Sequence, residues 1–205
     1  MFYQPSRGHG LPHNPFKALI APRPIGWIST VDAAGRPNLA PYSFFNAICE
    51  SPPLLMFSAD RGKHSARNAR ETGEFVVNVV ARDLAAQMVQ TSIDAPEGVD
   101  EFHHAGLQAV PSNLVRPPRV GGAPAALECC VTEILEPRGR DGEPANCEVV
   151  IGEVVGVHID DACLIDGRFD IARARTVARL GYLDYLSVDA TFTMRRPQWK
   201  SGDGR

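Results

Sequence analysis

RPIGWISTVDAAGRPNLAPYSFFNAICESPPLLMFS, from Arg23 to Ser58, consists of short β-rich runs separated by turn residues and prolines. Ile25 to Val31 is mostly apolar and rich in β-branched residues, the composition of a strand. Asp32-Ala33-Ala34-Gly35 then supplies a turn, because Asp bonds the nearby backbone and Gly accepts positive φ. Arg36 to Ser43 reads as a returning strand; Pro37 and Pro41 lack a ladder donor, which confines it to an edge or a bulge. Ser51-Pro52-Pro53 breaks the chain before a third strand at Leu54 to Ser58.

Outward from this segment, Ser65 to Thr72 is predicted to be a short helix closed by Gly73, and Phe75 to Val80 a fourth strand. Asp83 to Gln90 reads as a second short helix with Asp83 as its N-cap. Residues 93–122 are rich in proline and glycine and show no sustained period. They form a long loop excursion, with one helical turn near Val99 to His104. Ala126 to Glu136 and Glu148 to Asp160 are the longest strand candidates, joined by the hairpin loop PRGRDGEPA. In the second, Val149, Ile151, Val155, Val157 and Ile159 fall on one face. A helix is predicted around Ile171 to Arg179, followed by an extended arm. Six or seven strands with two or three short helices give a mainly β fold, a barrel with helical additions, rather than a sheet of alternating strands and long helices.

The 205 residues fit a single domain with an irregular N-terminal arm (about 1–21) and a C-terminal extension (about 187–205). Seventeen prolines and 18 glycines exclude a helical bundle. No apolar run is long enough for a membrane helix or a signal peptide, so a cytoplasmic protein is expected. The net charge of -3 argues against a dedicated nucleic-acid binder. Arg168 to Arg205 nevertheless holds eight basic and four acidic residues, and a basic tail of this kind either serves an acidic partner or is a solvated face. The five cysteines include no CxxC, and the histidines have no ligand spacing, so neither a disulfide framework nor a metal site is expected. Nucleotide motifs of the GxGxxG and GxxxxGK[ST] types are absent, as are HExxH and GxSxG.

Three segments carry the chemistry: RPIGWIST (Arg23 to Thr30), APYSFFNA (Ala40 to Ala47) and GKHSARN (Gly62 to Asn68). The second is polar and aromatic, and its prolines and small residues free backbone groups that can bond the edge of a flat heterocycle. In the third, Lys63 and Ser65 stand where a helix begins, and unpaired N–H groups with partial positive charge there suit a phosphate. The residues alone leave a second reading open, with Ser65 an ordinary N-cap and Lys63 solvated.

Arg23 to Ser58 closely resembles the flavin reductase-like, FMN-binding split-barrel family, in particular its flavoredoxin and nitrilotriacetate monooxygenase component B branch. The likeness continues through KHSARNARETGEFVVNVV, VDEFHHAGLQAVPS, ALECCVTEILE and VVIGEVVGVHIDD to VARLGYLDY, covering roughly residues 14 to 186. It implies a Greek-key split β-barrel and a homodimer with one FMN per protomer, FAD being possible, and NADH or NADPH as donor. Carried onto this chain, it places Ser29 and Thr30 on the first flavin-facing strand, and Ser43, Phe44, Asn46 and Ala47 along the ring edge. Ser58, Lys63, Ser65 and Asn68 fall at the phosphate, and Arg179 near the flavin. The family's Lys-Asp-Thr is here Lys63-His64-Ser65, which keeps the hydroxyl; its Arg-Leu-Gly-Gly is here Arg179-Leu180-Gly181-Tyr182. The implied activity is hydride transfer from nicotinamide to flavin N5, with delivery to a monooxygenase or another acceptor. Hydride transfer needs no side-chain acid or base, and none is assigned. A non-catalytic flavin carrier or redox sensor is the alternative, and an interaction module using the basic tail is a third reading.

Overall fold

A computed structural model describes residues 1–199. The first half contains α1 (Phe16–Leu19), β1 (Arg23–Pro24), β2 (Gly26–Val31), β3 (Pro37–Tyr42), β4 (Phe45–Glu50), β5 (Pro53–Asp60), α2 (His64–Thr72), β6 (Glu74–Asn78) and α3 (Ala85–Gln90). The second contains α4 (Glu101–His104), β7 (Ala109–Val110), β8 (Arg119–Val120), β9 (Ala125–Leu135) and β10 (Cys147–Ile159). It ends with β11 (Leu164–Ile165), β12 (Arg168–Phe169), β13 (Val177–Arg179) and β14 (Tyr185–Ser187).

The central sheet has seven strands in the order β3-β2-β6-β9-β10-β5-β4, with every pairing antiparallel. β3 and β4 are its opposite edges, yet only Ser43 and Phe44 separate them in the chain. Two intervening residues let the strand ends lie no more than about 11 Å apart, so the sheet has to curl until its edges meet. The Ser58 amide donates to the Phe44 carbonyl at 2.8 Å, and the Tyr42 ring lies 5.2 Å from Phe57. The fold is a split β-barrel, with the split at residues 43–44.

The barrel interior holds Ile28, Phe57, Phe75, Val77, Cys129 and Val150, and α2 plugs it with the fully buried Ala66 and Ala69. Gly152 is required there, since a Cβ would stand 2.5 Å from the Phe75 ring. A second cluster around Trp27, Leu39, Met88, Phe102 and Val177 lies on the outer side of β2 and β3. β2 is therefore buried at all six positions, which is why its sequence shows no apolar–polar alternation.

The excursion of residues 93–122 is fastened by polar side chains. Ser29 Oγ donates to the Pro118 carbonyl at 2.5 Å, and Asn78 Oδ1 accepts from the Val120 amide at 2.8 Å. Glu128, fully buried, accepts from the amides of Asn113 (2.8 Å), Leu114 (2.6 Å) and Val115 (3.2 Å), and lies 2.5 Å from His158 Nε2. Burial pushes the Glu128 carboxyl up, but the Asn113 amide, His158 and the Leu114 amide together hold it below the usual range.

Three expectations are corrected. Ile171 to Arg179 is not a helix: Asp170 starts a turn by accepting from the amides of Ala172 and Arg173, and Val177–Arg179 then pairs with β1 and β14 as a strand. The sheet partners override local helical preference. Asp83 is no N-cap; it lies within the short 3₁₀ turn Arg82–Leu84 and pairs with Arg175 at 3.2 Å. APYSFFNA ends in a real strand, β4, that pairs with β5. On β10, Val155, Val157 and Ile159 face outward, 40%, 58% and 42% exposed, whereas Val150 enters the core. Among the described residues, no helix is long and apolar enough to cross a membrane. Part of the basic tail, residues 200–205, lies outside the described residues.

Candidate functional site

Gly62 takes φ 84° and turns the chain from β5 into α2. Lys63 occupies the N-cap position in extended conformation, and no side chain caps the helix. The amides of His64, Ser65 and Ala66 form the first turn and have no intrahelical acceptor. Gly73 closes the helix in the left-handed region at φ 74°. Ser65 is thus inside the helix rather than capping it. Its buried Oγ accepts from Asn38 Nδ2 at 2.9 Å. Thr30 Oγ1 accepts from Asn68 Nδ2 at 3.2 Å and from Asn38 Nδ2 at 3.4 Å. Thr30, Asn38, Ser65 and Asn68 therefore form one buried network that seats the start of α2 against β2 and β3. Asn68 Oδ1 has no partner among the described residues.

A cleft of about 380 Å³ opens in front of this helix end, lined by Gly62, Lys63, His64 and Ser65 on one side and by Asn38, Tyr42 and Glu101 on the others. Lys63 Nζ is ion-paired there with Asp94, whose carboxyl it holds below the usual range by hydrogen bond and charge. Burial raises the Tyr42 phenol to about 12, against the lowering effect of its bond to Ser65, so it stays protonated. Glu101 is also pushed up by burial, while its Oε2 accepts the Leu39 amide at 3.1 Å.

Next to it is a larger cleft of about 630 Å³, which shares Pro41 and Ser92 with the first. Ser43 and Arg179 line it, as do Lys17, Arg23 and Tyr182. Arg23 is only 6% exposed. It donates to the carbonyls of Lys17, Ile20 (2.6 Å) and Leu180 (2.9 Å) and to Ser43 Oγ (3.4 Å). It thereby ties the N-terminal arm to the C-terminal strands. Arg179 donates to the Tyr182 carbonyl and lies 4.4 Å from the Tyr185 ring. Tyr182 has φ 55°, a conformation that suits the glycine the sequence comparison places there. Of the excursion proper, only residues 93–95 and Glu101 line the smaller cleft, and none lines the larger.

The structure brings Lys63 and Ser65 into one cleft and Ser43 and Arg179 into the other, with Thr30 and Asn68 directly behind the helix start. Phe44 stands at the split, 42% exposed, its ring 5.9 Å from Lys17 Nζ and 6.0 Å from Arg23 Cζ. Asn46 and Ala47 are exposed on the edge strand β4, and Ser58 lies on β5; none of the three lines either cleft. Ser29 points at Pro118 and anchors the excursion instead. Asn38, Tyr42, Asp94, Glu101 and Arg23 were not predicted as site residues. The only sequence sign of Arg23 is its place at the head of the RPIGWIST segment, and that of Tyr42 its place within APYSFFNA; Asn38, Asp94 and Glu101 meet the helix through strand pairing and the excursion, which leave no local pattern.

Residues 19–171 match the flavin reductase like domain. Nitrilotriacetate monooxygenase component B from Bacillus cereus superposes with a TM-score of 0.81 at 30% identity, covering 91% of this chain and all of that one. The Pseudomonas fluorescens 2-nitrobenzoate 2-nitroreductase does so with 0.79 at 27% identity, over 92% of each chain. Flavoredoxin of Desulfovibrio vulgaris gives 0.75 at 26% identity, over 85% of this chain and 90% of its own. With its sheet split at residues 43–44 and these likenesses along its length, the chain belongs to the flavin reductase-like family of oxidoreductases.

Proposed function

We propose that the protein binds FMN and serves as an NAD(P)H-dependent flavin reductase, acting as a cytoplasmic homodimer that passes reducing equivalents to a monooxygenase or another acceptor. The observation that carries the reading is the uncapped start of α2, where His64, Ser65 and the Lys63 ammonium line one cleft. This donor set fits a phosphate: the helix end supplies partial positive charge and Lys63 a full one. Ser43, which lines the larger cleft, would meet the polar edge of the flavin ring with Phe44 beside it at the split, and Arg179 would supply positive charge for the reduced, anionic form. When bound, the flavin supplies the redox chemistry, taking hydride at N5 from the reduced nicotinamide.

The chain's own part is to bind and orient. The Thr30–Asn38–Ser65–Asn68 network fixes the phosphate end. The fully engaged Arg23 holds the wall of the larger cleft, and neutral Tyr42 stands as a donor beside Ser65. An excursion that leaves the larger cleft uncovered favours turnover over the carrier reading. A nitroreductase among the structural neighbours agrees with a site able to serve an acceptor as well as a donor. The apolar residues exposed on β4 and β10 (Ile48, Val155, Val157 and Ile159) favour a second copy as their cover.

The test is a visible spectrum of the purified protein with and without added FMN, followed by anaerobic NADH or NADPH. A yellow protein bleached by one of the nicotinamides is expected. Failure to take up FMN would remove the flavoprotein reading, and a yellow protein that neither nicotinamide bleaches would remove the reductase reading.

A further inference from the structure

The larger cleft concentrates positive charge that no ion pair neutralises among the described residues. Lys17, Arg23 and Arg179 line it, and its lining contains no aspartate or glutamate. Among the described residues, none of the three makes an ion pair. Arg23 is satisfied by three carbonyls and a hydroxyl, whose dipoles offset part of its field but leave its net positive charge at the cleft. Burial, and then the Arg179 charge, hold it below the ordinary arginine value, which shows that the two guanidiniums feel each other. Such an arrangement is costly unless an anion joins it.

Arg179 is positioned to meet one. Its Nη2 donates to Tyr182 and its Cζ lies 4.4 Å over the Tyr185 ring, while Nε and Nη1 have no partner among the described residues. Tyr182 is held at φ 55° to present that carbonyl, a strain of the kind that accompanies ligand clamps. The remaining wall is mostly apolar and includes three aromatic residues, Phe16, Tyr182 and Tyr185, beside Ile25, Met88 and Leu180. Flat apolar surface beside a free guanidinium edge selects a flat ring that carries a negative group.

We propose that the larger cleft binds a small aromatic carboxylate, with Arg179 contacting the carboxylate, Lys17 and Arg23 supplying the field, and the three rings stacking on the aromatic part. The proposal rests on the flavin reading for one point only, that an acid bound here is a substrate of the adjoining flavin site.

The test is calorimetric titration with benzoate and with its neutral isostere benzamide, on the protein with and without FMN. Benzoate is expected to bind at least tenfold more tightly than benzamide, and acetate at least tenfold more weakly than benzoate. Arg179→Gln should remove most of the preference for benzoate, and Arg179→Lys should restore part of it. Equal binding of benzoate and benzamide to the unmodified protein overturns the proposal and needs no variant to be folded. So does a preference that survives Arg179→Gln, or nicotinamide mononucleotide displacing both probes alike. A protein that selects benzoate but takes up no FMN sinks the flavin reading and leaves this cleft's assignment standing.

Discussion

The smaller cleft is walled by the excursion that follows α3, and the larger by the N-terminal arm and the last strands. Each wall has its own fastener. Glu128, deep in β9, captures the excursion through three amides; Arg23, on β1, captures the arm through two carbonyls and the C-terminal segment through a third. The two clefts also treat their cations differently. In the smaller one Lys63 is matched by Asp94, an exposed carboxylate that stands where a ligand phosphate would bind. In the larger one the arginines are matched only by neutral groups. A cation with an exposed internal partner can trade it for a ligand; cations with none are set to attract one.

The comparison can be broken from either side. Glu128→Ala leaves three amides, that of Val115 buried, and His158 without their acceptor, and about 3 kcal/mol of stability should be lost. Denaturant melts would measure this. In the surviving folded fraction FMN uptake should weaken, while the preference for benzoate over benzamide persists. Loss of both together would show that the clefts are not separately held. Arg23→Ala should cost about 2–3 kcal/mol by releasing three carbonyls, and it should abolish the benzoate preference before it alters FMN binding.

Lys63→Ala should weaken FMN binding about tenfold to a hundredfold, the range for one charge-assisted phosphate contact, with almost no change in melting temperature. Asp94→Asn should do the opposite and tighten FMN about threefold, as expected for removing one exposed ion-pair competitor. A fluorescence titration separates the two, and weaker binding in Asp94→Asn would refute the competition. Because Lys63 holds the Asp94 carboxyl below its usual range, Asp94 stays charged across neutral pH; the advantage of Asp94→Asn should fade only as acid reaches that lowered value.

Stability against pH sharpens the same contrast. The Glu128 carboxyl is held below its ordinary value, so its contribution is complete above an unfolded value of about 4.3 and is lost as pH falls through the lower folded value. Glu101 is raised, so its contribution is complete below the unfolded value and disappears as pH rises through the folded one. An acid-limb loss of stability present in the native chain and absent in Glu128→Gln is the expected result.

The sequence by itself determined the strand content, the edge character of β3, the helix from Ser65 to Thr72 and its Gly73 stop. It also placed a positively charged helix start next to a hydroxyl at Lys63 and Ser65. These follow from local rules: proline lacks a donor, glycine tolerates positive φ, and a helix start has unpaired amides. Tertiary structure alone decided the rest. It curled the sheet so that its unpaired edges meet at Ser43 and Phe44, turned Val177–Arg179 from a predicted helix into a strand beside Arg23, gave the Ser29 hydroxyl to Pro118, and set Asn38 and Thr30 behind Ser65. Each of these joins residues far apart in the chain. Ser29 and Pro118 are separated by 89 positions and Arg23 and Leu180 by 157, and at such distances only the packed fold selects which polar group meets which.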